Sequence, residues 1–353
     1  MMMKTTTNES EFLKSQNTVS HDSLIRELVD ETFAHHARNH EYKNSESDHI
    51  DDGIHFQDNK NQKMDSDFLI KNGELLFTAG DIALAKNIFV ALLKSGEKSE
   101  VAHYWLAHCA DREGDTERAV SHFQASIAFD PQFNTFKQLA QLYIKNEKHT
   151  EAAHVFERSL LKHDFEPSKV FEIHKACGNC YSKTTTPIKS EAHYLKALAI
   201  DSKADDVLAN LGALYLQLGR TQEARKFFED AVSRNHKNDR ALSGLGSCFV
   251  LNREMKQAHD HFAKSLEIQI QNPTAIFHLV KCAYELKSYT AAEHLLREYI
   301  DASPVNANLL YSLAGLQFHL GKIVEAVKTT DQILMMQNAH AGAKELKKVL
   351  EKY

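Results

Sequence analysis

The sequence predicts an all-α protein, an α-α superhelix of stacked helix pairs with a disordered acidic N-terminal tail and a C-terminal capping helix. Three observations lead there. The stretch Asp205–Asn238, DDVLANLGALYLQLGRTQEARKFFEDAVSRNHKN, reads as a 34-residue unit of two amphipathic helices. Leu211, Gly212 and Tyr215 fall at places 7, 8 and 11, Gly219 at the turn, and Ala224, Phe228 and Ala231 at places 20, 24 and 27. The same pattern recurs along everything after Met64. Finally, 42% hydrophobic residues with only 13 Gly and 5 Pro in a chain of 353 suit one long helical array rather than two compact globules.

Each part of the unit has a physical reason. Small residues at places 8 and 20 let the two helices cross closely, and the aromatics at 11 and 24 fill the space beside the crossing. Gly212 and Ala224 are therefore the expected close pair, and Gly212→Leu is expected to overpack at a cost of roughly 1 to 3 kcal/mol. Gly219 suits the positive φ that ends the first helix, and Thr221 is the expected cap of the second. Neither helix buries its apolar stripe alone, so a continuous core requires stacked neighbours.

The small residue at place 20 counts the repeats. It is Ala85, Ala119, Ala152, Ser190, Ala224, Ala258, Ala292 and Ala326, at intervals of 34, 33, 38, 34, 34, 34 and 34, giving eight repeats over residues 66–338. Place 8 reads Gly73, Ala107, Ala140, Gly178, Gly212, Gly246, Val280 and Ala314, and place 24 reads Phe89, Phe123, Phe156, Tyr194, Phe228, Phe262, Leu296 and Thr330. Val280 and Thr330 depart from the pattern and are expected to weaken the last two repeats. The 38-residue interval implies a longer link and a bend around His163–Pro167. In the fourth repeat Thr185 replaces the turn glycine, with Thr186 as cap and Pro187 starting the next helix. Pro131, Pro273 and Pro304 fall in links between units. In residues 339–353, Ala343, Leu346, Val349 and Leu350 form the apolar stripe of the capping helix.

Charge separates the tail from the array. Residues 1–65 carry 13 Asp+Glu against 7 Lys+Arg, and residues 66–353 carry 35 of each, so the formal net charge of −6 resides in the tail. Without a basic excess the array offers no footprint for nucleic acid or an anionic membrane. The tail is polar, rich in Asn, Ser, Asp and His, and reads as disordered. Within it Ser23–Ala37 places Leu24, Ile25, Leu28, Val29 and Phe33 on one helical face. That short helix is either transient or resting on the first repeat, or else it docks in a groove, a partner's or its own. His35, His36, His40, His49 and His55 have no regular interval and do not read as a metal site. No run of about 18 apolar residues and no secretory leader is present, so the expectation is a cytoplasmic protein without membrane insertion. An odd count of five cysteines, all inside helical patterns, agrees with a reducing setting.

With this ladder in place, the sequence resembles the tetratricopeptide-repeat (TPR) family. The resemblance implies a right-handed superhelix whose first helices line a groove that holds an extended peptide or a partner helix. It implies a non-enzymatic adaptor that binds other proteins. The alternatives are a regulatory subunit of an enzyme complex and a co-chaperone. In that family, places 2, 5, 6 and 9 of the first helix look into the groove. Lys175, Asn179, Asn210 and Arg240 then match four of the five places of the carboxylate clamp of chaperone-binding relatives, at intervals of +4, +31 and +30. A terminal carboxylate would take charge-assisted bonds from Lys175 and Arg240, and the two amides would bond the adjacent backbone. The fifth place is Gly244, where arginine is expected to strengthen binding. Pairing of Lys175 and Arg240 with acids such as Glu172 or Asp206 is the competing reading. Tyr104 and Trp105, the only Trp, occupy inward places 5 and 6 of the second repeat. They form either a hot spot for a partner side chain or an aromatic pair buried against the first repeat.

Nothing in the sequence supplies chemistry. Cys177 and Cys180 form CGNC, but Cys177 stands where other repeats have Leu106, Leu139, Leu211 and Leu245, which reads as core packing. Adding His174 gives three ligands on successive turns that diverge, a poor zinc set. No nucleophile with its base and no phosphate loop is found, so no catalytic residue, metal or cofactor is assigned.

Overall fold

A computed structural model describes residues 66–162 and 165–353. The segment Ser23–Ala37, the tail histidines, and His163 and Asp164 of the extended link lie outside the described residues. The chain divides into two compact units between Lys162 and His163, inside the 38-residue interval, where the composition had suggested one continuous array.

The first unit contains three helix pairs: α1 (Ser66–Ala79) with α2 (Ile82–Ser95), α3 (Ser99–Arg112) with α4 (Thr116–Phe129), and α5 (Phe133–Lys145) with α6 (His149–Leu160). The second contains five pairs and one further helix. They are α7 (Pro167–Tyr181) and α8 (Pro187–Ile200), α9 (Asp205–Gln217) and α10 (Thr221–Arg234), α11 (Asp239–Leu251) and α12 (Met255–Ile268), α13 (Pro273–Leu286) and α14 (Thr290–Asp301), α15 (Ala307–His319) and α16 (Ile323–Met336), then α17 (Ala341–Leu350). All described elements are α-helices, and within each unit every helix packs on its sequence neighbour.

The packing follows the ladder. Every place-20 residue has no exposed surface, and every place-24 side chain is buried, including Leu296 and Thr330. In the fourth repeat the Ser190 hydroxyl donates to the Gly178 carbonyl at 2.8 Å, so places 8 and 20 do meet. The group that fills the space at the place-8 glycines is nevertheless the place-24 ring. A Cβ built on Gly212 would lie 2.7 Å from Phe228 carbons, and the same clash recurs between Gly178 and Tyr194 and between Gly246 and Phe262. Gly212 thus pairs with Phe228 more closely than with Ala224. Where place 8 is the larger Val280, place 24 shrinks to Leu296, a trade of volume rather than a simple loss.

The turns explain three further departures. Place 15 has positive φ at Gly80, Gly114, Gly219 and Gly321, but also at Glu147, Arg253 and Lys287, so the turn geometry is kept where glycine is not. Thr185 is the exception, and there Thr186 sits at the cap of α8 with its hydroxyl turned to Thr184 at 2.7 Å. Thr221 is the first residue of α10 and not its cap. Arg220 holds the cap position, and its guanidinium bonds Glu223 and covers the Tyr215 ring at 4.3 Å. True side-chain caps are Asp115, Asn238, Asn272 and Asn306, and His340 at the start of α17. Helix α17 buries Ala343 and Leu350 on α15 and α16, Leu346 is half-buried, and Val349 faces out.

Candidate partner-binding surfaces

In the second unit the four candidate residues lie on consecutive first helices: Lys175 and Asn179 on α7, Asn210 on α9 and Arg240 on α11. Asn179 and Asn210 are directly linked, since the Asn210 amide donates to the Asn179 Oδ1 at 2.9 Å and the Tyr194 hydroxyl donates to the same oxygen at 2.8 Å. Asn210 is thereby fixed and buried, while Asn179 stays exposed with its NH2 free of any described partner. Burial works against the Lys175 ammonium, but its bonds to Glu172 at 3.1 Å and Asp206 at 3.3 Å outweigh this and raise its pKa. The Phe171 ring lies under the same ammonium at 5.2 Å. Arg240 is exposed, and among the described residues no acid is within ion-pair distance of it.

Gly244, the fifth place, is closed. A Cβ there would meet Phe228 ring carbons at 2.3 to 2.7 Å, so the ring is held between Gly212 of its own repeat and Gly244 of the next. An arginine at 244 would displace that ring, which reverses the gain expected from sequence. Acid pairing holds for Lys175 and does not hold for Arg240.

In the first unit Tyr104 and Trp105 pack among aromatic neighbours and also border open space. Trp105 is half-buried, stacked on Phe89 at 5.7 Å and tilted against Phe77 at 5.3 Å, and its Nε1–H donates to Glu74 at 3.1 Å. Both aromatics also line a cavity of about 500 Å³ with Glu74, Glu100, Asp130 and Asn134. The Tyr104 hydroxyl accepts from Asn134 at 3.1 Å, and burial, with the nearby Glu74 charge, raises its pKa. Glu74 and Asn134 hold inward places 9 and 2 of their repeats, a register signal that points to this cavity.

The cysteines are core residues. All five are buried, and burial pushes the thiols of Cys109, Cys180 and Cys248 up to about 11. His174 faces His193 and not the cysteine pair: their Nδ1 atoms are 3.0 Å apart. His103 and His122, at the same places 4 and 23 of the second repeat, repeat this contact at 2.9 Å. Such a pair needs one protonated and one bare Nδ1. No three His, Cys, Asp or Glu side chains converge as a metal set among the described residues.

Comparisons with known proteins agree with the repeat architecture. Models of the tetratricopeptide repeat match residues 193–226 and 279–341. A model described as anaphase-promoting complex, cyclosome, subunit 3 matches residues 76–159 and 217–299. With eight helix pairs in register, the chain is a tetratricopeptide-repeat protein. Among individual proteins it is similar to the anaphase-promoting complex subunit CDC16 of Saccharomyces cerevisiae, 24% identical over 249 residues, which is 66% of this chain and 29% of that one. It is also 24% identical over 213 residues to the human protein O-mannosyl-transferase TMTC3, covering 59% of this chain and 23% of the relative. The chain thus spans less than a third of either protein. A solved structure of the APC/C hetero-tetramer Cut9-Hcn1 aligns over 81% of this chain and 56% of that one, with a TM-score of 0.45 and 17% identity.

Proposed function

We propose that this chain is a non-enzymatic protein–protein interaction scaffold, a subunit of a multiprotein assembly, whose first-helix face on α7, α9 and α11 receives an extended segment of a partner protein. The observation that carries the reading is Arg240, an exposed cation with no acid partner among the described residues, on the first helix that follows those of the tied amides Asn179 and Asn210. An acidic side chain of the segment pairs with Arg240, and the Asn179 NH2 bonds the segment's backbone. The similarity over two stretches to a subunit of a large complex supports membership in an assembly. Open helical faces suit binding rather than chemistry, and the relative named as a transferase is matched over only 23% of its length. No described helix is long and apolar enough to cross a membrane.

A terminal carboxylate is the less favoured ligand, because it would have to compete with Glu172 and Asp206 for Lys175 and would find Gly244 filled by Phe228. For a partner recovered by affinity purification, Arg240→Glu is expected to weaken binding about tenfold or more with little change in melting, because Arg240 is exposed and forms no ion pair among the described residues. Amidating the partner's C-terminus is expected to leave affinity unchanged. Undiminished binding by the Arg240→Glu protein removes this face from the account.

A further inference from the structure

We infer that the cavity walled by Tyr104 and Trp105 in the first unit takes a Lys or Arg side chain from a basic segment of a partner protein. This site is separate from the face on α7, α9 and α11 and does not depend on it. The cavity, about 500 Å³, is large enough for a guanidinium or ammonium group together with backbone on either side. Its walls supply two aromatic rings, and its rim supplies the carboxylates of Glu74, Glu100 and Asp130. No Lys, Arg or His is among its lining residues, and none of the three carboxylates forms an ion pair with a described residue. Three acids around an aromatic wall with no cation to balance them create a negative potential that a cationic side chain relieves.

The aromatics add to that attraction and are held ready for it. Trp105 is fixed by Phe89 stacked on it, by Phe77, and by its Nε1–H bond to Glu74. Tyr104 is fixed edge-on to Trp105 at 5.5 Å and by its bond with Asn134. A cation over these rings gains from the ring quadrupole, and the fixed geometry limits the ordering cost on binding. The bond from the Trp105 Nε1–H holds the Glu74 carboxylate beside the cavity that both residues line. An anionic or purely apolar side chain would leave the three carboxylates uncompensated.

Trp105 is the only tryptophan in the chain, so its fluorescence reports this cavity directly. The full-length protein is titrated with the capped peptide Gly-Ser-Arg-Ser-Gly and with the same peptide carrying citrulline, a neutral isostere of arginine. The arginine peptide is expected to change Trp105 emission saturably, with the citrulline peptide binding about tenfold weaker or less well still. The double variant Glu74→Gln, Glu100→Gln keeps an acceptor for the Trp105 N–H and the acidic tail, so it isolates the cavity charge. It is expected to melt with the parent and to lose about tenfold in affinity for the arginine peptide. Equal binding of the citrulline peptide, full affinity in the double variant, or no saturable change in emission would each overturn the assignment.

Discussion

Replacing Phe228 by Ala is expected to cost about 3 to 5 kcal/mol, the largest single effect in the second unit. The ring fills the space over Gly212 within its own repeat and over Gly244 in the next, so its loss opens a cavity inside one helix pair and at the junction of two. Gly212→Val attacks the same contact from the other side and is expected to cost roughly 1 to 3 kcal/mol by overpacking, with Gly244→Arg at least as harmful. The seventh repeat shows the remedy, since there valine at place 8 faces leucine at place 24. The double change Gly212→Val with Phe228→Leu is therefore expected to cost less than the sum of its single changes, a coupling that urea unfolding measures. Additive costs would mean that the two positions do not share this space.

Acid is expected to loosen the fourth repeat first. Burial, then the facing His193 and the nearby Lys196, lower the His174 pKa to about 4, below the ordinary value of 6.5 that it regains on unfolding. The unfolded chain therefore takes up the proton first. The contribution of this group to stability is complete above about pH 6.5, declines as pH falls, and is lost by about pH 4, on the order of 1 to 3 kcal/mol. Burial lowers His103 and His122 in the same direction, so the second repeat follows the same course. Melting of His174→Gln should depend less on pH between 7 and 4.5 than melting of the parent. Parallel curves for the two proteins would exclude the imidazole pair as the cause.

The repeat architecture was legible because it is written locally: a small residue, a turn and an aromatic recur at fixed places, and two helices can satisfy that pattern in one way. What escaped were features that depend on the next repeat or on backbone geometry. Gly244 looked like a missing base because its own repeat contains nothing that fills it, and the occupant, Phe228, comes from the repeat before. Glu147, Arg253 and Lys287 take the left-handed turn conformation without glycine because the flanking helices fix the turn, so residue type alone concealed a conserved geometry. The pairing of Lys175 with Glu172 was readable from their i, i+3 spacing on one helix, and Asp206 follows one repeat later. The acids around Trp105 come from two repeats, and only stacking brings Glu74 of the first to one cavity with Glu100 and Asp130 of the second.

The central claim is that a partner segment lies on the first helices of the second unit. Amide hydrogen exchange of the full-length chain, alone and bound to its partner, measures this directly. Protection is expected to concentrate on α7, α9 and α11, strongest around Asn179, Asn210 and Arg240, with α8, α10 and α12 changing little. Protection confined to α8, α10 and α12, with the first helices unchanged, would contradict the account.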